Sequence, residues 1–159
     1  MTDRQGTRYP RRPQHHLTDG EHDTLSWVDE AAGLECRARR HRSLGHWCAY
    51  VAVPDGHPLH GHGDGMGSKA HDLDVHGGVT YGHLETWDGD TEERWWIGWD
   101  YAHLGDRSPW GSPGVLSDAG DTYHRQAEVI GDVEAAAGQV KEYGLVDGRP
   151  AGAHDEAGR

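Results

Sequence analysis

The chain is predicted to fold as a single α+β domain: a twisted, mostly antiparallel sheet with one long C-terminal helix packed on it. Three observations carry this prediction. Arg94–Asp106 (R-W-W-I-G-W-D-Y-A-H-L-G-D) begins as a strand, with Trp95, Ile97, Trp99 and Tyr101 on one face and Trp96, Gly98 and Asp100 on the other. Leu34–Arg40 and His46–Val53 read as two strands joined by a short link that ends in Gly45, which is a hairpin signal. Thr122–Tyr143 sets Tyr123, Ala127, Ile130, Val133, Ala137 and Val140 at three- and four-residue steps, which makes one apolar stripe on a helix.

Composition sets the limits. A chain of 159 residues suits one domain with a core of its own. The hydrophobic fraction is 34%, and 24 glycines imply many loops. With 7 Trp and no Phe, indole rings must fill part of the interior. A formal net charge of -12 argues against a binder of long nucleic acid, which needs clustered Lys and Arg for phosphates. A small nucleotide held by a few local donors remains compatible with it. The opening residues hold no apolar run, so neither a signal peptide nor a membrane helix is expected. Cys36 and Cys48 are then expected as free thiols in the cytoplasm, here that of a host cell.

In chain order, residues 1–20 are expected to be a flexible basic arm, 21–144 the α+β domain and 145–159 a disordered tail. Thr24–Val28 can form a short strand or a helical turn. Leu34–Arg40 alternates Leu34, Cys36 and Ala38 against Glu35, Arg37 and Arg39, so it should be half exposed. His46–Val53 is nearly continuously apolar and stops at Pro54. His57–His71 is too glycine-rich for a regular element and reads as a mobile loop. Asp72–His76 should resume as a strand running into a bulge at Gly77–Gly78 and then Val79–Tyr81. Glu85–Glu93 reads as an acidic, exposed turn. Ser108–Gly114 reads as an irregular cover with Trp110 pinned inward. The helix should be capped by Asp121 or Thr122 and end at Gly144.

Three sets of residues can carry chemistry. Asp100, His103 and Asp106 leave the aromatic strand together, and His76 precedes the Gly pair. These four suit general acid–base work, with an aspartate orienting an imidazole. His57, His60, His62 and Asp64 share one Gly-rich loop and suit a divalent transition metal, although no metal signature of fixed spacing is present. Gly77, Gly78, Thr80, Tyr81, Trp96 and Trp99 offer backbone donors and flat rings for a planar anionic ligand. Against each stands a plainer reading, of turn residues, core histidines and indoles that replace phenylalanine.

The segments His46–Gly61 (H-W-C-A-Y-V-A-V-P-D-G-H-P-L-H-G), Asp74–Tyr81 (D-V-H-G-G-V-T-Y) and Trp95–Asp106 (W-W-I-G-W-D-Y-A-H-L-G-D) resemble a widespread family of uncharacterised phage and prophage proteins. Its pattern is close to C-G-Y-V…H-P-L-Y-G…V-H-G-G-L-T-Y…W-W-I-G-F-D-C-A-H-x-G-D, followed by a C-terminal helix. The resemblance spans roughly residues 34 to 143. This chain departs from the pattern at Ala49, where Gly is common, at His60, where Tyr is usual, and at Tyr101, where many members carry Cys. The last removes any thiol beside His103. The resemblance implies a phage or mobile-element origin, and it groups His57, His76, Gly77, Gly78, Thr80, Asp100, His103 and Asp106 as a set.

The function expected from these readings is a phage-type, counter-defence protein that binds a small nucleotide-like ligand in a Trp/His/Gly-lined pocket. Hydrolysis of that ligand would be phosphodiesterase-like, using His and Asp or a bound metal. One alternative is an inhibitor that grips a host defence enzyme through its acidic surface. Another is a metal-stabilised accessory protein without catalysis. No membrane partner is expected, and assembly as a homo-oligomer is left open.

Overall fold

A computed structural model describes residues 3–63, 65–87, 89–111, 120–146 and 149–150. Six strands form one sheet: β1 (Gln5–Thr7), β2 (Thr24–Asp29), β3 (Leu34–Arg40), β4 (Trp47–Val53), β5 (Tyr81–Glu85) and β6 (Arg94–Asp100). Their order is β1-β2-β3-β4-β6-β5, and every neighbouring pair is antiparallel. One helix, α1 (Gln126–Tyr143), packs across β3 and β4. A two-stranded ladder of β7 (Leu145–Val146) and β8 (Arg149–Pro150) follows it. The α+β class expected from the sequence is the fold.

Period-two alternation decides which side chains meet the helix. On the helix face, Cys36 and Ala38 of β3 lie beside Val51 and Ala49 of β4, and these beside Ile97 and Trp99 of β6. All are buried, and they form the main core with Val129, Val133, Ala136, Ala137 and Val140 of α1. Small residues on both surfaces let helix and sheet approach closely. The second face carries Arg37 and Arg39 of β3, Tyr50 of β4 and Trp96 of β6. No helix covers it. Cys36 and Cys48 therefore face opposite sides of the hairpin, and both thiols are free.

The hairpin link ends as expected at Gly45, whose φ of 82° needs glycine; a Cβ there would also lie 2.5 Å from the Trp110 ring. Trp110 thus packs over the link, half-buried, while residues 112–114 of the expected cover lie outside the described residues.

Several expectations need correction. The basic arm does not hang free: over residues 3–20 it pairs as β1 with β2, and Tyr9 N–H donates to Asp23 at 2.8 Å. Buried carboxylates hold it, because Arg12 also reaches Asp23 at 3.3 Å. Asp72–His76 is not a strand. The Gln139 amide of α1 bonds both the N–H and the C=O of Asp74, at 2.7 and 2.9 Å, and so takes the groups that a ladder would use. A 3-10 turn at Lys69–Asp72 precedes it. The turn at Glu85–Glu93 is not wholly exposed, since Trp87 stacks on Trp96 with ring centres 4.6 Å apart. The helix begins at Gln126, not Thr122, because Tyr123 instead reaches back to Glu21 with its hydroxyl. Neither Asp121 nor Thr122 caps it: the Glu21 carboxylate, remote in sequence, accepts from the Gln126 N–H at 2.9 Å. The buried stripe is also rotated, with Val129 and Ala136 inside and Ala127 exposed. The expected disordered tail is not wholly so: Leu145–Val146 and Arg149–Pro150 pair as β7 and β8, while residues 151–159 lie outside the described residues.

Candidate functional site

The end of β6 is where polar groups collect. Tyr101 N–H still bonds Trp47 C=O at 3.0 Å, and the chain then turns so that Asp106 N–H meets His103 C=O at 2.8 Å. A bridge to Thr122 fixes Asp106 at the foot of the helix. Its side chain is almost wholly buried, yet three histidines converge on it. Oδ2 lies 2.7 Å from His76 Nε2 and 3.2 Å from His103 Nδ1, and also accepts the His103 N–H at 3.0 Å. Oδ1 lies 2.8 Å from His124 Nε2. Burial works against the Asp106 charge, but the bonds from His76, His103 and His124 prevail and hold its pKa down to about 2.

Each imidazole is held in place. His76 stacks on Tyr101 with ring centres 4.7 Å apart and planes 8° from parallel. Tyr101 is fixed in turn by Asp132, which accepts its hydroxyl at 2.7 Å, and by the Trp99 N–H at 3.2 Å. His103 rests against Gly77, where φ is 72° and a Cβ would come within 2.2 Å of the ring. Only glycine leaves room for it. His124 Nδ1 meets Glu128 at 2.6 Å, so carboxylates flank both its nitrogens. Burial opposes its charge, but Glu128 and Asp106 outweigh that and raise its pKa. Asp100 stands at the rim, 3.9 Å from His103 Nε2.

Of the four residues expected to do acid–base chemistry, His76, His103 and Asp106 meet directly, with Asp100 beside them. His124 and Glu128 were not foreseen. They precede or begin the helix, and only the tertiary fold brings them to Asp106.

The loop histidines are not brought together as a metal centre. His57 has both nitrogens engaged by backbone, at Val140 C=O (2.7 Å) and Leu59 N–H (3.0 Å). His60 lies against Trp95 and near Asp55, while His62 accepts from Lys69 N–H at 3.3 Å. Asp64 lies outside the described residues. Among those residues, the group whose atoms converge closely enough for an ion is His76, His103 and Asp106.

The expected ring-and-glycine pocket is also dispersed. Trp96 is fully buried beneath Trp87, Trp99 is fully buried on the helix face, and Tyr81 bonds Glu85. Gly78 N–H and Thr80 N–H are already taken by Val75 and Gly98 C=O, at 3.0 and 2.9 Å. Gly77 serves His103 instead. The alternation of aromatic residues was read correctly, but core packing uses the rings.

The second face of the sheet supplies a concavity that the sequence reading did not single out. A groove of about 820 Å³ runs across it, walled by the β1 segment and by the turn that carries Trp87. Arg39 lies 4.3 Å over the Trp87 ring and 5.2 Å over Tyr50, and Arg42 lies 4.2 Å over Tyr9. Cys48 lines the groove and is the register partner of Asp100. Burial pushes the Cys48 thiol up to about 11, which removes it as a nucleophile. The run R-A-R-R-H-R at Arg37–Arg42, in so acidic a chain, was the available signal.

No family model, curated protein or solved structure matches the chain. Among the described residues, no helix is long and apolar enough to cross a membrane.

Proposed function

We propose that the protein binds a small nucleotide-like ligand, an anion carrying a planar ring, in the arginine-lined groove on the second face of the sheet. The observation that carries this reading is the set of guanidinium groups held over rings in a chain of net charge -12. Arg8, Arg39 and Arg42 line the groove and make no carboxylate ion pair among the described residues, whereas Arg37 is paired with Asp90 at 2.5 Å and Arg40 with Glu21 at 2.7 Å. Cations held over rings and outside ion-pair distance of any described carboxylate suit an anion. Guanidinium planes also accept stacked bases, and their N–H forks match phosphate oxygens. The resemblance to phage and prophage proteins suits such a ligand, since sequestering a nucleotide signal is one way to act against host defence. Turnover would require the ligand to reach His76 and His103, which meet at Asp106 beyond the end of β6 and do not line the groove.

Calorimetric titration with mono-, di- and cyclic nucleotides, and with inorganic phosphate and a nucleoside as part-ligands, tests the reading. A nucleotide is expected to bind, and to lose roughly tenfold or more in affinity in Arg39→Gln, since a hydrogen bond to a charged group contributes about 1.5–3 kcal/mol. Product analysis of the bound samples separates a binder from a hydrolase. Absence of binding across the panel, or equal binding by Arg39→Gln, contradicts the proposal.

A further inference from the structure

The histidine centre at Asp106 has the geometry of a metal site, independently of the ligand groove. We infer that His76, His103 and Asp106 bind one divalent transition-metal ion through His76 Nε2, His103 Nδ1 and Asp106 Oδ2. One donor atom from each of the three residues lies within 4.8 Å of the others. The carboxylate oxygen is 2.7 Å from one nitrogen and 3.2 Å from the other. An ion with tetrahedral bonds of about 2.0–2.2 Å holds neighbouring donor atoms roughly 3.3–3.6 Å apart, so His103 Nδ1 is already close to that spacing from Asp106 Oδ2 and His76 Nε2 must draw back by somewhat under 1 Å.

The surroundings are those of a held ligand set. A metal-bound carboxylate is usually fixed by hydrogen bonds to its other oxygen, and metal-bound imidazoles by contacts that set the ring plane. Asp106 Oδ1 meets His124 Nε2 at 2.8 Å, and Glu128 meets the far nitrogen of His124 at 2.6 Å. Tyr101 fixes the plane of His76, and the missing side chain at Gly77 leaves room for the His103 ring. Asp100 stands 3.9 Å from the outer nitrogen of His103.

Two nitrogens and one oxygen suit Zn²⁺, Fe²⁺, Co²⁺ or Mn²⁺ and exclude a preference for Ca²⁺ or Mg²⁺, which take oxygen shells. Asp106 is buried, but the side chains of His76 and His103 are 29% and 36% exposed. With three protein donors and one open side, the ion keeps positions for water or an exchangeable ligand, as catalytic centres do and closed structural ones do not.

Cobalt is the probe, because Co²⁺ in a nitrogen–oxygen site absorbs visible light. The full chain, stripped with a chelator, is titrated with Co²⁺ without nucleotide, and Zn²⁺ is then added in competition. The expected result is a ligand-field spectrum that saturates at one equivalent and is displaced by Zn²⁺. It is lost in both His103→Ala and Asp106→Asn, and retained in His60→Ala. His124→Gln should weaken binding by roughly 10–100-fold, as the loss of an outer-sphere partner does. His103 is partly exposed, so its replacement keeps the test valid even if Asp106→Asn fails to fold. The inference is overturned if the wild type shows no saturating spectrum, or if the spectrum survives His103→Ala. Arg39→Gln should leave the cobalt titration unchanged, which keeps the fate of this site separate from that of the groove.

Discussion

Two polar networks lie on the helix side of this protein, and they are built differently. Around Arg40, a guanidinium with no exposure meets Glu21 at 2.7 Å, Asp23 at 3.1 Å and Gly45 C=O at 2.9 Å, with its charge 4.2 Å over the Trp47 ring. Asp23 is shared further with Arg12 and the Tyr9 N–H. The Arg40 charge is permanent, and each of its three nitrogens has an acceptor. Around Asp106 the centre is a carboxylate, its partners are titratable imidazoles, and the two outer rings are partly open to water. A network of fixed charges closed on itself specifies where β1, β3 and the start of α1 meet. A network whose imidazoles are partly open to water, with a carboxylate that an ion can share, can hold something else.

The first way to break this comparison is Arg40→Met. It leaves Glu21 and Asp23 buried with less counter-charge, and the expected loss is about 3–5 kcal/mol in denaturant unfolding. A loss below about 1 kcal/mol would show that the network is not what joins these elements. Next comes Gly77→Ala, which puts a side chain at a φ of 72° and a Cβ 2.2 Å from the His103 ring. Strain of about 1–3 kcal/mol is expected, together with displacement of the His103 ring resonances in NMR spectra. An unshifted His103 would refute the seat assigned to it.

The third effect depends on pH and concerns His46, which is buried between the two networks with Nδ1 3.2 Å from the Ser108 hydroxyl. Burial, helped by the nearby His41, lowers its pKa to about 4. The unfolded chain therefore takes up a proton near pH 6.5 that the folded chain refuses until about pH 4. Stability is full above pH 6.5 and falls as the solution is acidified through that window. Between pH 7 and pH 5 the wild type should lose roughly 1–2 kcal/mol more than His46→Phe does. Equal pH dependence in the two proteins would place this histidine's titration elsewhere. The smallest effect is that of His103→Ala, about 1 kcal/mol or less, because its ring is partly exposed and fills no core. If it cost as much as Arg40→Met, the contrast between a closed and an open network would collapse.

Periodicity made the sheet legible. Alternation along Trp95–Tyr101 and along Leu34–Arg40 is a local property, and both strands have the faces that the sequence implies. The helix was placed by the same means, but its start was not. Tyr123 and Gln126 answer to Glu21, more than a hundred residues earlier. Asp72–His76 was misread for a similar reason, since the Gln139 amide captures the backbone at Asp74. His76, His103 and Asp106 stood out in the sequence beside glycines and an aromatic strand. His124 did not, for nothing adjacent to it in sequence marks it. The opposite failure is the H-x-H loop, where the composition suggests an ion but backbone groups occupy His57 and His62. The groove was hidden because one of its walls is β1, drawn from a segment that reads as a free arm.

The most direct test of the account is NMR mapping of the seven indole N–H and the arginine Nε–H resonances during titration with the tightest nucleotide. The account predicts that Trp87 and Arg39 shift in proportion to binding, while Trp47 and Trp99, sealed on the helix face, stay fixed. Shifts confined to Trp47, Trp99 and Arg40, with Trp87 and Arg39 unmoved, would contradict it.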